Sequence, residues 1–414
     1  MVKLTDYSPR RISILDRILR AMFASKLSQF TNGQLDLRDG DWHQSFGLEG
    51  TPPLSACLDI HDSRVYRSVL FGGTIGAAEA YAQAWWTTDD LTTLVRIMAR
   101  NRRAAKGLDG TLTRARDLFH RLIHRWRHNR KTQSRRNISA HYDLGNDFFS
   151  LFLDPTMTYS CAVFPRDDST LKEASEHKLH VLCQRLELVP SDELLEIGTG
   201  WGSLAIYAAK HYGCQVTTTT ISHEQYRYAV AAIAQAGLAD RVTVLKVDYR
   251  DLPNAVERQF DKVVSVEMLE AVGQPFLDRY LQVCDQLTKP GGIMLLQSIV
   301  IADELYESYR RSVDFIQRYI FPGGFLPSVA DLRKRIETAT DFQITDIRDI
   351  TDHYPRTLRY WRERLQDNWQ KLESLGYSAQ LLRLWEYYFS YSEGGFLEQT
   401  IGDVQIALTK VNKA

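Results

Sequence analysis

No stretch of this 414-residue chain approaches the roughly 20 consecutive apolar residues that a membrane-crossing helix needs, so a spanning protein is not expected. Cysteine is scarce and scattered. The five thiols, at positions 57, 161, 183, 214 and 284, fall in no CxxC and in no paired spacing. A disulfide framework and a structural zinc site are therefore not expected, and reduced cytosolic thiols are. The opening segment, MVKLTDYSPRRISILDRILRAMF, lacks the apolar core and small-residue cleavage site of a secretory leader. It reads instead as a short helix in which Ile14, Leu15, Ile18, Leu19, Met22 and Phe23 are apolar. Internal repeats and low-complexity tracts are missing as well, which leaves an ordinary globular chain long enough for two domains.

What the chain has is a hidden charge split. Its formal net charge is zero, yet residues 1–138 hold 23 Lys/Arg against 13 Asp/Glu, and the rest holds 28 against 38. Between Arg96 and Arg136 lie 14 basic residues and only two acids, Asp109 and Asp117. Within that segment Leu118, Phe119, Leu122, Ile123 and Trp126 fall on one helical face, with arginines and histidines on the other. Such a helix suits an anionic membrane surface. The same stripe also suits packing on its own domain, the commoner fate, or a nucleic acid.

The chain divides near residue 135. The front part, 1–135, contains FTNGQLDLRDGDWHQSFG, two alternating runs around turn residues that predict a hairpin. Helical periodicity follows through Ile75, Ala78, Tyr81 and Ala82, then through Leu91, Leu94, Val95 and Met98. A small basic α+β domain is expected there. In 136–414 the rhythm becomes strand, helix, strand, with short buried strands at Glu193–Ile197, Gln215–Thr220, Val242–Val247, Lys262–Val266, Ile293–Ser298, Ile344–Ile347 and Val404–Leu408. That alternation predicts an α/β, Rossmann-like, doubly wound sheet of seven strands.

Directly after the first of these strands stands LLEIGTGWGSLA, with Glu196, Gly198, Gly200 and Gly202 at alternate positions. The glycines allow a tight turn and close approach of a ligand to a helix N-terminus. A dinucleotide fingerprint would instead be GxGxxG. GxGxG with an acid two residues upstream is typical of sites for S-adenosylmethionine, whose cationic sulfonium and ammonium suit a carboxylate and which carries no phosphate. The next strand tip offers Thr220, Ile221, Ser222 and Gln225, and the third offers Asp248 and Tyr249 to hydrogen-bond and stack on adenine. No NPPY motif of the kind used on nucleobases occurs, and no nucleic-acid partner is expected.

YDLGNDFFSLFLDPTMTYSCAVF, TISHEQ, DYRDL, DKVVSVEMLEAVG, RYIFPGGFLPS and YYFSYSEGGF, together with the glycine loop, resemble the cyclopropane-fatty-acyl-phospholipid synthase family, whose relatives include the mycolic acid cyclopropane synthases. The resemblance runs from about residue 135 onward and, more weakly, through IGAAEAYAQAWWTTDDL. It implies a class I methyltransferase fold and methyl transfer from S-adenosylmethionine to the cis double bond of an unsaturated phospholipid. Tyr159 and Ser160 would line the cofactor. The general base implied is a bound bicarbonate, held by Glu270, Tyr354 and the backbone near Cys161 and Ile299.

Gln297 stands where LLHTIG-like members have histidine, and Ala271 replaces the histidine of EHVG. Glutamine still donates a hydrogen bond but cannot be cationic, so plain C-methylation to a methyl- or methylene-branched chain stays open beside cyclopropanation. A non-catalytic homologue that binds lipid or cofactor is the reading from another class. Cys161 invites a nucleophile reading, but its neighbours offer no base to activate the thiol, and alkene methylation has no covalent enzyme step. The resemblance also implies a peripheral protein of the cytoplasmic membrane face, docked through the Arg-rich 96–136 segment, and suggests a homodimer.

Overall fold

The computed structural model describes residues 13–48, 53–102 and 144–411. Most of the Arg-rich segment, including the predicted amphipathic helix around Leu118–Trp126, lies outside the described residues. The chain forms two compact units. The first takes the described residues up to 102 together with 312–320 and 365–400, and the second takes 144–311, 321–364 and 401–411. A single division at residue 135 does not anticipate those two returns.

In the first unit the opening helix runs Ile14–Leu27, closed at its start by a reciprocal cap between Ser13 and Asp16. Leu19, Phe23 and Leu27 are buried, whereas Ile14, Leu15, Ile18 and Met22 face outward. The predicted hairpin is present: β1 (Gly33–Asp39) pairs antiparallel with β2 (Trp42–Leu48). Strands β3 (Ser55–Ile60) and β4 (Trp86–Thr88) complete a sheet of order β2-β1-β3-β4.

Helix Ala379–Leu397 belongs to this unit because its polar residues find partners there. Thr92 donates to Glu393 at 2.9 Å, and Arg96 and Arg100 grip the two oxygens of Glu398 at 2.7 and 2.8 Å. Gly394 faces Val95 so closely that a Cβ would stand 2.6 Å from a valine methyl, which fixes glycine at that crossing.

The second unit is built on seven strands: β5 (Glu193–Ile197), β6 (Gln215–Thr219), β7 (Val242–Leu245), β8 (Phe260–Val266), β9 (Thr288–Ile301), β10 (Phe342–Asp349) and β11 (Ile401–Lys410). Their order is β10-β11-β9-β8-β5-β6-β7. Neighbours from β9 to β7 are parallel, and β11 lies antiparallel between β9 and β10. The predicted seven-stranded α/β sheet is therefore the observed one.

Alternation along β5 shows how the sheet is covered on both faces. Leu194 joins the cluster of Leu182, Ala205 and Val264, while Leu195 joins that of Leu277, Leu281 and Met294. Strand order reverses between β5 and β8, and open parallel sheets bind ligands outside the carboxyl ends of their strands at such a point. Leu195→Ala, at a fully buried position, is expected to cost about 2–5 kcal/mol of stability, read by chemical denaturation.

Candidate active site

The glycine loop leaves β5 and is bent back on itself. The N–H groups of Gly198 and Thr199 both donate to the carbonyl of Thr219 on β6, each at 3.0 Å. Gly198, Gly200 and Gly202 have φ of 108°, 52° and 95°, a region that favours glycine. A Cβ on Gly198 would press on Met268 at 3.2 Å, whereas one on Gly200 would meet nothing within 4 Å, so the loop faces open space there. Gly202 caps helix Ser203–Tyr212. Trp201 pins the loop from behind, its indole N–H donating to Asn146 at 2.7 Å and its ring 5.0 Å from Phe149.

Glu196, two residues ahead of the loop, is buried and accepts a 2.6 Å hydrogen bond from Thr218. Burial pushes its carboxyl up to about 8. At the tip of β6, Thr220 donates to Gln225 at 2.8 Å, with Ile221 between them half-buried. After β7, Asp248 is clamped by Arg250 through contacts of 2.7 and 2.6 Å. The ring of Tyr249 is buried edge-on against Tyr280, 5.0 Å away.

An aromatic wall stands next to the loop. Tyr159 is ringed by Trp361 at 5.2 Å, Phe149 at 5.5 Å, Phe152 at 6.1 Å and Phe321 at 6.4 Å. Ser160 accepts a 2.7 Å hydrogen bond from Lys178, a lysine 2 % exposed on the inner face of helix Leu171–Arg185. Lys178 was not singled out from sequence. Its signal was an ammonium group in line with Leu171, Ala174, Leu179 and Leu182.

Beyond the wall lies a cluster of three carboxylates, Glu267, Glu270 and Asp403. Cys161, Gln297 and Tyr354 do converge on one point, and the group at that point is the side chain of Glu267. Its Oε1 accepts from the backbone N–H of Cys161 at 2.8 Å and from Gln297 Nε2 at 2.9 Å, and its Oε2 accepts from the Tyr354 hydroxyl at 2.6 Å. Glu270 is held apart from those donors, its Oε1 taking the Ile299 N–H and the Ser298 hydroxyl. Its Oε2 is buried with no hydrogen-bond partner among the described residues.

Gln297 orients the group further. Its Nε2 also reaches Asp403 at 3.0 Å, and its Oε1 accepts from Gln405 at 3.1 Å. Glutamine can thus serve three partners in a fully buried setting without carrying charge. Sequence reasoning missed Glu267 and Asp403. The available signals were a second glutamate three residues before Glu270 and an aspartate inside the apolar run of β11.

Three carboxylates so close cannot all ionise. Burial, then the charge of Glu267, lifts Glu270 to about 8. Burial and the charges of Glu267 and Glu270 hold Asp403 well above the usual range. Glu267 is raised by burial too, but the Tyr354 hydroxyl, the Cys161 N–H and the Lys178 ammonium all favour its anion. The donors that suit an anion are thus gathered on Glu267, while Asp403 is pushed toward its neutral form. Cys161 is wholly buried, and burial pushes its thiol well above the ordinary value, which leaves no activated nucleophile.

The profile of the family described as mycolic acid cyclopropane synthetase matches residues 129–406. Among curated proteins, the tuberculostearic acid methyltransferase of Mycobacterium tuberculosis is 38% identical over 352 residues, covering 83% of this chain and 81% of that protein. The cyclopropane-fatty-acyl-phospholipid synthase of Escherichia coli is 33% identical over 389 residues, covering 91% and 96%. Among solved structures, a mycolic acid cyclopropane synthase complexed with SAH and CTAB superposes with a TM-score of 0.62 at 32% identity, over 67% of this chain and 98% of that one.

The lifted carboxyl of Glu270 has a measurable consequence. Its folded value of about 8 lies above the ordinary carboxylate value of 4.5, so its contribution to stability is full at low pH and is lost as pH rises through about 8. Glu270→Gln removes that loss. In thermal melts the midpoint of the variant relative to the parent is expected to be higher at about pH 9 than at about pH 5.

Proposed function

The chain belongs to the mycolic acid cyclopropane synthetase family and is an S-adenosylmethionine-dependent methyltransferase, and on that premise we propose that it methylates the cis double bond of an unsaturated phospholipid acyl chain and closes a cyclopropane ring. The observation that carries this reading is the meeting of three things at the carboxyl ends of β5, β8 and β9. They are an open glycine loop behind a buried acid, an aromatic wall, and a desolvated carboxylate cluster.

S-adenosylmethionine supplies, when bound, an electrophilic methyl group on a sulfonium. The glycine loop would take its methionyl and ribosyl portion, with Glu196 as counter-charge and Tyr159 and Ser160 alongside. The polar tips at Thr220, Ile221 and Gln225, and Asp248 and Tyr249 beyond them, are the proposed ribose and adenine contacts. An alkene carries no charge and is a poor nucleophile, so the site must hold both reactants at bonding distance and exclude water. Rings such as Tyr159, Phe149 and Trp361 stabilise developing positive charge through their faces without offering an atom that would trap a cation.

The resemblance also implies bicarbonate as base, and here the residues do not fit it. The donors that would hold it, from Tyr354, Gln297 and Cys161, are on the Glu267 carboxylate. No step is routed through that ion.

A second reading, methyl transfer that ends in a methyl- or methylene-branched chain, is favoured by Gln297 in place of histidine and by the likeness to a tuberculostearic acid methyltransferase. In either case the substrate lies in a membrane. The Arg-rich 96–136 segment would hold this enzyme, as a peripheral protein and homodimer, on the anionic cytoplasmic face, with 1–135 as docking portion and 136–414 as catalytic portion.

Vesicles of monounsaturated phospholipid with S-adenosylmethionine labelled in its methyl group test the reading. Label is expected in the lipid, and proton NMR of the extracted chains distinguishes ring protons from a methylene. Absence of label at saturating cofactor would sink it. Cys161→Ser, whose N–H is unchanged, should keep more than about a tenth of the rate. Glu196→Gln is expected to weaken S-adenosylmethionine binding by about tenfold or more in calorimetry at about pH 9, above the value of about 8 to which burial lifts this carboxyl, where the parent offers the cationic ligand an ionised counter-charge.

A further inference from the structure

We propose that Glu267 is the general base of this enzyme, a carboxylate of the chain itself that does the work otherwise left to a bound anion. The inference rests on the reaction class proposed above and names the group that removes the proton.

Three observations carry it. First, the carboxylate sits where the neighbouring segments aim their donors: Cys161 N–H, Gln297 Nε2 and Tyr354 hydroxyl all end on it, at 2.8, 2.9 and 2.6 Å. These donors come from the Tyr159-Ser160-Cys161 turn, β9 and the segment after β10. A planar, anionic, two-oxygen acceptor is what such a set binds, and Glu267 supplies it covalently. Second, the aromatic wall continues to this point, since Tyr354, which grips Glu267, lies edge-on to Trp361 at 6.2 Å, and Trp361 faces Tyr159 at 5.2 Å. Third, Glu267 holds its carboxylate there at a cost in its own backbone. Its φ is 46°, in the left-handed region that side chains other than glycine, asparagine and aspartate seldom occupy. Strain of that kind at a strand end persists where surrounding contacts over-determine it.

The step balances without any further reagent. The alkene π pair forms the new C–CH3 bond as the S–CH3 bond breaks, its electrons returning to sulfur, and the adjacent carbon becomes cationic. A carboxylate oxygen of Glu267 takes one proton from the new methyl, and the C–H pair closes the ring. If a hydride first shifts from the methyl-bearing carbon to the cationic carbon, the same C–H pair forms a methylene branch, C=CH2, on the open chain instead. Either product needs one proton removed from the same methyl, so the assignment of Glu267 does not depend on which is made. The carboxylic acid then returns its proton to water.

The test uses the full-length enzyme in carbonate-free buffer, with methyl transfer to monounsaturated vesicles and 13C-bicarbonate NMR read in parallel. The parent protein should work at the same rate, within about twofold, with and without added bicarbonate, and should not broaden the 13C-bicarbonate line. Glu267→Gln should lose about 100-fold or more in rate while S-adenosylmethionine affinity changes by less than about threefold. Glu267→Gly suits the left-handed backbone and frees the three donors. It should be nearly inactive alone, bind 13C-bicarbonate and regain at least about tenfold on its addition.

A parent enzyme that binds or requires bicarbonate would overturn the assignment. So would a Glu267→Gly protein as fast as the parent without bicarbonate, or one that binds S-adenosylmethionine yet neither binds nor responds to bicarbonate. If the parent transfers no methyl to any unsaturated lipid, the proposed function falls, and the two 13C measurements still decide whether Glu267 fills an anion site.

Discussion

A single buried carboxylate ties together segments of the second unit that are far apart in the chain. Glu267, just beyond β8, is bonded by Cys161 from over a hundred residues upstream, by Gln297 from β9 and by Tyr354 from the segment after β10. Asp403 on β11 joins through Gln297. A desolvated charge is stable only if its hydrogen-bonding capacity is met, and here each of those segments supplies part of it. The constraint runs both ways. The carboxylate fixes where these backbones sit, and the backbones fix where the carboxylate points.

Around that point the chemistry divides by charge. Asp403 and Glu270 lie close enough to Glu267 that ionisation of one suppresses the others, so the cluster holds negative charge without accumulating it. The buried Lys178, bonded to Ser160, contributes an ammonium that favours the Glu267 anion. The wall around Tyr159 is apolar, with rings and no exposed nucleophile, and the nearby thiol of Cys161 is held neutral by burial. Such surroundings suit the carbocation of the proposed reaction and leave its proton one nearby carboxylate to go to. Cyclopropanation and methylene formation would both make that demand.

Much of the fold was legible because short apolar runs and turn residues report strand position locally. The seven predicted strands coincide with β5 to β11, differing mainly where β9 and β11 extend further at their ends. Gly198, Gly200 and Gly202 were legible for the same reason, since a turn that requires positive φ announces itself in residue type. The site was legible in its members but not in its arrangement. Cys161, Glu270, Gln297, Ile299 and Tyr354 all fall in the cluster, yet the centre expected among them for a bound ion is filled by Glu267. Two glutamates three residues apart look interchangeable in VEMLE. Only the positions of Tyr354, at the start of a helix, and of Gln297 and Ile299 on β9 separate the one that gathers three donors from the one left with an unbonded oxygen.

The sequence by itself determined the seven-stranded α/β frame, the tight glycine turn after its first strand, and the residues at the strand ends. It did so because periodicity and turn chemistry act over a few residues. The tertiary structure decided which carboxylate carries charge, why Gln297 serves where a cation is absent, and that helix Ala379–Leu397 joins the first unit. Those outcomes depend on burial and on donors contributed from distant segments, and neither is encoded within any one stretch of the chain.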